Sequence, residues 1–457
     1  MSQFLWGPVT LALLCGTGLY LTVRLKAYPL RMLFPTLKGI IRGGKGADTK
    51  RKKCGAGEVS PLGALMTSLA TCIGIGNVVG VAAAISIGGP GALLWMWLGG
   101  LLGISTQFAE SLLGVKYRQK NSSGEYVGGP MYTLKYGLRN KKLGLILGSV
   151  FAVCTVLASF GIGNMVQANS IARSVSISFG INARVTGIIM TAAVLATLLG
   201  GIKTIAKVSG VLVPVMAGVY IAGGLIVIAG NAGGLASGIK DIWNCAFGVK
   251  AAAGGTAVSF LTVLQNGIAK GVFSNEAGLG SAAITASAAK TDSAVKQGCI
   301  SMCTTFIDTH IICTVTGLAV VSAGLYREKG LGAAELITRT FESVLGNAGG
   351  YIVTVGVVLF AYASIPGWEY IGEKALEFLV KKKFYCYIYR IGFAITVYIG
   401  AVLAAAHVWE LSQAANALMI FPNLISVLAL SGTVAKDVGR YKREKNPLEK
   451  EKKTSEV

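Results

Sequence analysis

The stretch TCIGIGNVVG, from Thr71 to Gly80, lies inside a continuous apolar segment that runs from Leu62 to Ile87. A chain that crosses hydrocarbon keeps its backbone N–H and C=O groups in helical hydrogen bonds, because each unsatisfied group costs several kcal/mol there. Gly74, Gly76 and Gly80 weaken the helix where that cost is highest. Non-helical backbone is tolerated at this depth only where it is buried in protein or lines a wet cavity. The stretch therefore predicts a broken membrane helix.

A second membrane-length segment with the same feature runs from Thr256 to Ala289 and carries GVFSNEAGLGS at its centre. Two glycine-interrupted spans, one opening each half of a membrane chain, indicate the binding site of a secondary transporter. Gly76 and Gly80 also form a GxxxG pattern, which is typical of close helix packing. For one segment alone both interpretations stay open, and the pair favours a binding site.

The composition is that of a polytopic membrane protein. Of 457 residues, 53% are hydrophobic and 14% are charged, whereas a soluble chain carries about 25% charged residues. The net charge of +22 does not indicate nucleic acid, because the basic residues lie in the gaps between apolar segments. The cysteines are scattered without a CxxC pair, and His310 and His407 are too far apart for a typical His-based metal site. We expect no cofactor beyond a coupling ion, Na⁺ or H⁺.

Apolar runs of about 20 residues, the length that crosses roughly 30 Å of hydrocarbon, recur along the whole chain. They predict eleven transmembrane helices, at 4–23, 62–87, 91–115, 143–174, 184–202, 209–230, 256–288, 298–323, 349–378, 386–406 and 411–433. If the N-terminus is outside, 34 of the 42 lysines and arginines fall in cytoplasmic gaps or the tail. This positive-inside bias predicts an outside N-terminus and an inside C-terminus.

These spans divide into an N-terminal helix and two groups of five. Because each group crosses the membrane an odd number of times, the two halves are inverted relative to each other, which is an inverted repeat. The expected regions are the N-terminal helix (1–24), a basic cytoplasmic loop (25–61), the first repeat (62–230), the second repeat (256–433) and a charged cytoplasmic tail (434–457).

Three segments outside the spans carry their own patterns. The gap 324–348 places apolar residues at helical spacing and predicts an amphipathic helix over the extracellular entrance. The Gly-, Lys- and Arg-rich stretch from Lys38 to Gly57 predicts a mobile loop, and the charged stretch from Lys442 to Val457 predicts disorder.

Several long strings resemble the alanine or glycine:cation symporter family, within the amino acid–polyamine–organocation superfamily. They are GIGNVVGVAAAISIGGPGALLWMWL (Gly74 to Leu98), FGIGNMVQANSIA (Phe160 to Ala172), KGVFSNEAGLGSA (Lys270 to Ala282), FIDT (Phe306 to Thr309) and MIFPNL (Met419 to Leu424). The resemblance implies a fold similar to the bacterial leucine transporter, with one extra N-terminal helix. It also implies sodium-driven, less often proton-driven, uptake of small neutral amino acids such as alanine or glycine across a bacterial or archaeal plasma membrane.

The sequence departs from the family pattern at three positions. Ile75 replaces the threonine of the usual GTGN, Gly210 stands where a glutamate is common, and Ala363 replaces a hydroxyl residue in FAYAS. The third departure bears on ion coordination and on the size of the substrate.

A broken helix offers an amino-acid zwitterion both kinds of partner that it needs. Freed N–H groups and the positive end of a half-helix attract the carboxylate, while freed C=O groups accept from the ammonium. We expect the backbone of Gly74, Gly76 and Asn77 to hold the carboxylate. Carbonyl groups near Thr71 and Phe273 are expected to accept from the ammonium.

Side chains complete this expected pocket. Asn164 and Gln167 lie three apart on the fourth span and so share a helix face, and amides in a membrane span are costly unless paired. A hydrogen bond to substrate is favoured for Gln167, whereas Asn164 is equally consistent with interhelical pairing. Phe273 is expected to close one side of the pocket, and Ala363 to influence its size.

Sodium prefers hard oxygen ligands, as other hard cations do. Similarity to the leucine-transporter pattern implies one Na⁺ site from the carbonyls of Ala70 and Ile73 with the hydroxyl of Ser364. A second site would use Asn77 and Ser274 beside the substrate carboxylate. For Ser364 the alternative is a hydrogen bond to its own helix backbone.

Acidic groups at membrane depth are functional candidates by default. Glu276 follows the second break and is expected to pair with Lys270 or to tie the broken helices together, with proton coupling as the alternative. Asp308 is expected in a polar network with His310. Glu110 is expected to act as a gate or as the partner of a loop arginine.

These patterns favour a secondary symporter over two other classes. An embedded enzyme needs convergent acid/base or nucleophilic groups, and the acids here fall on different spans without a nucleophile motif. A channel needs a ring of pore-lining residues. The expected partners are a small neutral amino acid, Na⁺ and the lipid bilayer, and the sequence leaves a glutamine-transporting or proton-coupled relative open.

Overall fold

The computed structural model describes residues 5–42, 58–199, 201–248, 250–253, 256–328, 330–380, 382–403 and 405–445. In chain order the helices are α1 (Pro8–Arg24), α2 (Tyr28–Ile41), α3 (Pro61–Cys72), α4 (Val81–Gly88), α5 (Ala92–Lys116), α6 (Pro130–Gly137), α7 (Lys141–Phe160), α8 (Val166–Phe179), α9 (Ala183–Leu198), α10 (Gly201–Gly230), α11 (Ala232–Phe247), α12 (Phe260–Asn275), α13 (Ser281–Ser287), α14 (Ala294–Thr305), α15 (Thr314–Ala323), α16 (Ala333–Leu345), α17 (Asn347–Leu379), α18 (Lys383–Val402), α19 (Ala405–Ala429) and α20 (Ser431–Lys445). Three π-helical segments, π1 (Gly76–Gly80), π2 (Gly161–Met165) and π3 (Phe306–Cys313), lie before α4, between α7 and α8, and between α14 and α15. Two antiparallel hairpins pair β1 (Gln119–Lys120) with β2 (Tyr126–Val127) and β3 (Lys250–Ala253) with β4 (Thr256–Ser259).

The expected spans are all present as helical segments of the described chain. Within the described residues, seven helices are each long and apolar enough to cross a membrane, and the number is nine if each of two bent pairs, α1–α2 and α3–α4, forms one span. The shorter apolar helix α9 and the interrupted pair α12–α13 lie at the positions of the other two expected spans, 184–202 and 256–288. The prediction of an all-α polytopic protein with about eleven spans is confirmed.

Both predicted breaks are present, and their backbones differ. In the first, α3 ends at Cys72, Ile73 leaves the helical region with ψ 86°, and the chain resumes at an angle of 51°. In the second, Glu276, Gly278 and Gly280 have φ values of 59°, 97° and 79°. Glycine adopts positive φ readily, but the same conformation at Glu276 costs on the order of 1–3 kcal/mol, so surrounding contacts must hold it.

Corresponding spans of the two halves pack against each other. The first broken span contacts the second through π1, α4 and α12, while α5 packs on α14, α7 on α17, and α9 on α18. Two further contacts correspond to each other in the two repeats. The last helix of the first repeat, α10, packs on α17 of the second, and the last helix of the second repeat, α19, packs on α7 of the first. This pattern is that of an inverted repeat with the first helix of each half broken, as predicted.

Outside the spans, the structure adds detail at the expected loops. The region 25–61 contains α2, which turns 83° away from α1, and α16 forms the helix expected in the gap 324–348. A parallel β-bridge joins Val59, before the first broken span, to Ala289, after the second. Most of the expected mobile loop and the end of the tail, residues 43–57 and 446–457, lie outside the described residues.

Candidate functional site

Asn77 forms two hydrogen bonds with Gly74 across the first break. Its side-chain Oδ1 accepts from the Gly74 backbone amide at 3.1 Å, and its backbone amide donates to the Gly74 carbonyl at 3.3 Å. The Ile75 amide donates to Gln167 Oε1 at 3.4 Å. Two backbone amides at the buried break, those of Gly74 and Ile75, thus donate to side-chain oxygens rather than to helical carbonyls.

Gly74 allows the fourth span and the ninth span to approach this break. A Cβ at position 74 would lie 2.9 Å from Ser364 Oγ and 3.1 Å from Gln167 Oε1. Gln167 is further held by a 3.1 Å hydrogen bond from its Nε2 to the Ile162 carbonyl, within the same span. Three of the predicted site residues therefore meet at a point where only glycine fits.

Ser364 bonds across to the first broken span. Its hydroxyl donates to the Ala70 carbonyl at 2.8 Å and lies 3.3 Å from the Thr71 carbonyl. Ile73 is fully buried at the end of α3, and Ala363 is buried next to Ser364 on α17. The structure thus assembles the oxygens of Ala70 and Ser364, and it adds the carbonyl of Thr71 beside them.

Asp308 joins the two broken spans, although no local pattern placed it there. Asn77 Nδ2 donates to Asp308 Oδ1 at 2.7 Å, and Ser274 Oγ donates to the same oxygen at 3.1 Å. Thr309 Oγ1 donates to the other carboxylate oxygen at 3.1 Å. His310, expected beside Asp308, instead stacks on Phe306 with ring centroids 5.4 Å apart. The sequence predicts that Asn77 and Ser274 lie together, and the structure adds Asp308 to them as the third member of a polar triplet.

Aromatic side chains and a lysine lie on α12 before the second break. Phe273 stacks on Trp409 of α19 with centroids 5.3 Å apart. Lys270 Nζ lies 5.2 Å from the Trp409 ring centroid and 5.8 Å from that of Phe273, so its described contacts are cation–π rather than an ion pair with Glu276. Phe273 is buried, and its role in closing the pocket stays a prediction.

Glu276 is hydrogen-bonded to groups on three different elements. Ser281, at the start of α13, donates to its carboxylate, and the side chains of Trp368 and Cys72 are also partners. Cys72 ends α3 and additionally lies 3.5 Å from the Asn275 carbonyl. Glu276 therefore links the first broken span to the second, which is one of the two roles expected from the sequence.

Two predicted residues lie apart from the breaks' meeting point. Asn164 Nδ2 donates to the Phe393 carbonyl at 2.6 Å and to Thr396 Oγ1 at 2.9 Å, so it pairs with α18 rather than facing Gly74. Glu110, on α5, accepts from Asn423 on α19 at 2.5 Å. Its described partner is thus an amide of the MIFPNL string and not a loop arginine.

The assembled groups suit a zwitterion and a hard cation. Asn77, Ser274, Asp308 and Ser364 are fully buried, and Gln167 is 3% exposed. The arrangement offers hydroxyl, amide, carbonyl and carboxylate oxygens, which are the ligands that hard cations prefer. Among the described residues, no group of three or more His, Cys, Asp or Glu side chains is placed to hold a metal ion.

Paired broken spans in an inverted repeat, with an oxygen-lined site between them, define a secondary transporter. The chain belongs to the sodium:alanine symporter family, whose profile matches residues 1–456. It is 43% identical over 447 residues to a sodium/alanine symporter of Methanococcus maripaludis, covering 96% of each chain. It is 35% identical over 445 residues to a probable sodium/glutamine symporter of Bacillus subtilis, covering 97% of this chain and 90% of the relative.

Solved structures share the fold. MhsT in complex with L-phenylalanine aligns with a TM-score of 0.59 at 15% identity, over 82% of this chain and 89% of MhsT. A manganese transporter of Eremococcus coleocola aligns with a TM-score of 0.52 at 14% identity, over 81% and 77%. The family resemblance, the multi-pass membrane architecture and the assignment as a transporter rather than an enzyme are confirmed.

Proposed function

We propose that this protein is a cation-coupled symporter, driven by Na⁺, that takes up small neutral amino acids such as alanine or glycine. The observation that carries the proposal is the Asn77–Asp308–Ser274 triplet, which places one buried carboxylate between the two broken spans. A buried charge is costly unless it is paired. A cation bound at this point satisfies Asp308 and draws the two broken spans together.

In the proposed complex, the backbone of Gly74, Gly76 and Asn77 binds the substrate carboxylate. Gln167 turns from the Ile75 amide to the substrate, and carbonyls near Thr71 and Phe273 accept from the ammonium. A Cβ at Gly76 would lie 3.1 Å from the Ser274 Cα, so the two breaks touch on one side of the substrate. This close approach restricts the space beside Gly76 and supports alanine or glycine over larger amino acids.

Two cation sites complete the proposal. The first uses the carbonyls of Ala70 and Ile73 with Ser364 Oγ, and the second uses Asn77 and Ser274 with the charge of Asp308. One Na⁺ that moves down 100 mV supplies about 2.3 kcal/mol. That energy alone supports accumulation of a neutral substrate by roughly 50-fold.

Alternating access then moves the broken spans relative to the rest of the two repeats, 62–230 and 256–433. Lys270 and Glu276 are proposed to control this movement at the second break. The basic gaps support a plasma-membrane protein with its N-terminus outside and its C-terminus inside.

Uptake by proteoliposomes tests the function. Radiolabelled L-alanine and glycine are offered under an imposed Na⁺ gradient, an imposed H⁺ gradient, or neither. We expect accumulation only with Na⁺ and competition by small amino acids. Accumulation that follows the H⁺ gradient identifies a proton symporter, and preferential competition by glutamine identifies a glutamine carrier. Indifference to both gradients refutes coupled transport.

A further inference from the structure

One face of α5 carries buried polar groups toward the second break. A Cβ at Gly103 would lie 2.9 Å from the Ala277 Cβ, and one at Gly114 would lie 2.7 Å from the Ala283 carbonyl oxygen. Residues spaced three and four apart lie on one helix face. Gln107 and Glu110 are between these two glycines at that spacing, so both face the break and the start of α13.

Asn423 connects this face to the break. Its Nδ2 donates to Glu110 Oε1 at 2.5 Å and to the Gly278 carbonyl at 2.8 Å. Because both partners are acceptors, the orientation of the amide is determined, and Oδ1 points the other way. A Cβ at Gly280 would lie 2.7 Å from that Oδ1, which places the oxygen against the break itself.

The outer oxygens of Asn423 and Glu110 are incompletely paired. Asn423 Oδ1 and Glu110 Oε2 are buried, and neither accepts a hydrogen bond of ordinary geometry from any residue that the structure describes, although the Gly278 amide is near Glu110. Gln107 is fully buried, and both of its amide atoms also lack a partner within the described ranges. Buried polar atoms in native proteins are normally satisfied, and unsatisfied ones indicate a bound water or ion.

We propose that Glu110 and Asn423 form a further monovalent-cation site, behind the second break. Carboxylate and amide oxygens are suitable ligands for a hard cation, and Gln107 lies one helical turn away on the same face of α5. A cation here offsets the negative charge of Glu110 in an environment where an uncompensated charge is expensive. It also bridges α5, α19 and the Gly278–Gly280 backbone.

This site differs from the two in the proposed function, because it shares no ligand with them and contacts the second break rather than the first. Its role follows from its position. Occupancy holds the left-handed turn of Gly278 and Gly280 against α5 and α19, so the ion stabilises the broken form of the span. The inference rests on the proposed Na⁺ coupling for the identity of the ion.

Direct Na⁺ binding tests the site. Equilibrium binding of radioactive Na⁺ to the purified full-length protein is measured without amino acid, with choline replacing Na⁺ in the baseline. We expect Glu110→Gln to lose one Na⁺ per protein, or to weaken one component by about 10-fold or more. Glu369→Gln is the matched control, because Glu369 is also a buried carboxylate but lies beside Arg390 on another pair of helices.

Asn423→Asp provides the opposite change. It replaces the amide with a second carboxylate and removes the Nδ2 donor that Glu110 and the Gly278 carbonyl share, so the facing oxygens need a cation between them. The protein without Na⁺ is expected to melt lower than the wild type, Na⁺ is expected to bind more tightly, and the melting temperature is expected to rise more steeply with Na⁺. If both variants bind Na⁺ as the wild type does, the oxygens hold only water and the proposal is overturned. If Glu110→Gln is not monodisperse, Na⁺ binding by Asn423→Asp alone tests the proposal, and unchanged binding overturns it. A wild-type protein that binds no Na⁺ refutes the proposed function itself.

Discussion

Asn77 Nδ2 lies 2.7 Å from Asp308 Oδ1, so an amide of the first broken span bonds directly to a carboxylate on the eighth span. The same carboxylate oxygen accepts from Ser274 of the second broken span at 3.1 Å. One acidic group therefore contacts both halves of the inverted repeat at their breaks. Movement of either broken span changes the surroundings of this charge, which is the property that coupling a cation to a conformational change requires.

Removal of this charge is expected to weaken cation binding. Asp308→Asn keeps the shape of the side chain but loses charge-assisted interactions worth about 1.5–3 kcal/mol. The Na⁺ concentration for half-maximal alanine uptake is therefore expected to rise by about 10- to 100-fold. His310→Gln, on the same π3 segment but stacked on Phe306, is the control and should change it by less than about 2-fold. An unchanged Na⁺ dependence in Asp308→Asn contradicts the proposed coupling.

A methyl group at position 74 is expected to disrupt the site. Gly74→Ala places a Cβ 2.9 Å from Ser364 Oγ and 3.1 Å from Gln167 Oε1, so both side chains must shift. Alanine binding, measured calorimetrically in saturating Na⁺, is expected to weaken by about 10-fold or more. Gly218→Ala, where a Cβ meets nothing within 4 Å, should bind normally and stabilise α10 by up to about 1 kcal/mol.

Alanine substitutions at Gln167 and Asn164 are expected to differ in their effect on substrate affinity. Gln167→Ala removes the side chain that contacts the Ile75 amide and the Ile162 carbonyl, so substrate affinity should fall, and the melting temperature should fall no further than in Asn164→Ala. Asn164→Ala removes hydrogen bonds to Phe393 and Thr396, so the melting temperature should fall by the equivalent of about 1–3 kcal/mol while affinity persists. If Asn164→Ala loses substrate affinity and Gln167→Ala keeps it, the substrate lies on the Asn164 side of the span.

The hydroxyl of Ser364 is expected to matter for sodium rather than for the amino acid. Ser364→Ala removes the oxygen that lies 2.8 Å from the Ala70 carbonyl, while Ser364→Thr retains a hydroxyl. The half-saturating Na⁺ concentration should rise by about 10-fold in the alanine variant and recover in the threonine variant. Equal Na⁺ dependence in all three proteins shows that this hydroxyl is only a helix contact.

The loop residue Glu125 is expected to contribute pH-dependent stability. Burial alone raises its pKa, but Lys374 Nζ, 2.9 Å from Oε2, outweighs burial and holds the pKa of Glu125 below its ordinary value. A carboxyl group with a depressed pKa in the folded state stabilises it above the unfolded pKa of about 4.3. This contribution is lost as the pH falls through the folded-state pKa.

Thermal melts at several pH values check this expectation. Glu125→Gln should melt below the wild type near pH 7, and the difference should shrink as the pH falls below the ordinary carboxyl range. Glu444→Gln, in an exposed ion pair with Arg440, is the control and should show little difference at any pH, because exposed pairs contribute about 0–1 kcal/mol. A constant difference for Glu125→Gln argues against the ion pair.

The sequence by itself determined the class of the protein. Apolar runs and basic gaps set the number of crossings, and the glycines at Gly74 and Gly278 marked both breaks, because the hydrogen-bonding demand of hydrocarbon is a local property of the backbone. The resemblance to the leucine-transporter pattern implied that Ser364 lies near Ala70 and Asn77 near Ser274, but only the tertiary structure decided which acids join such groups. Asp308 reaches Asn77 across 231 residues, and Asn423 reaches Glu110 across 313. Such contacts depend on how each helix is rotated and packed against its neighbours, which no local pattern specifies.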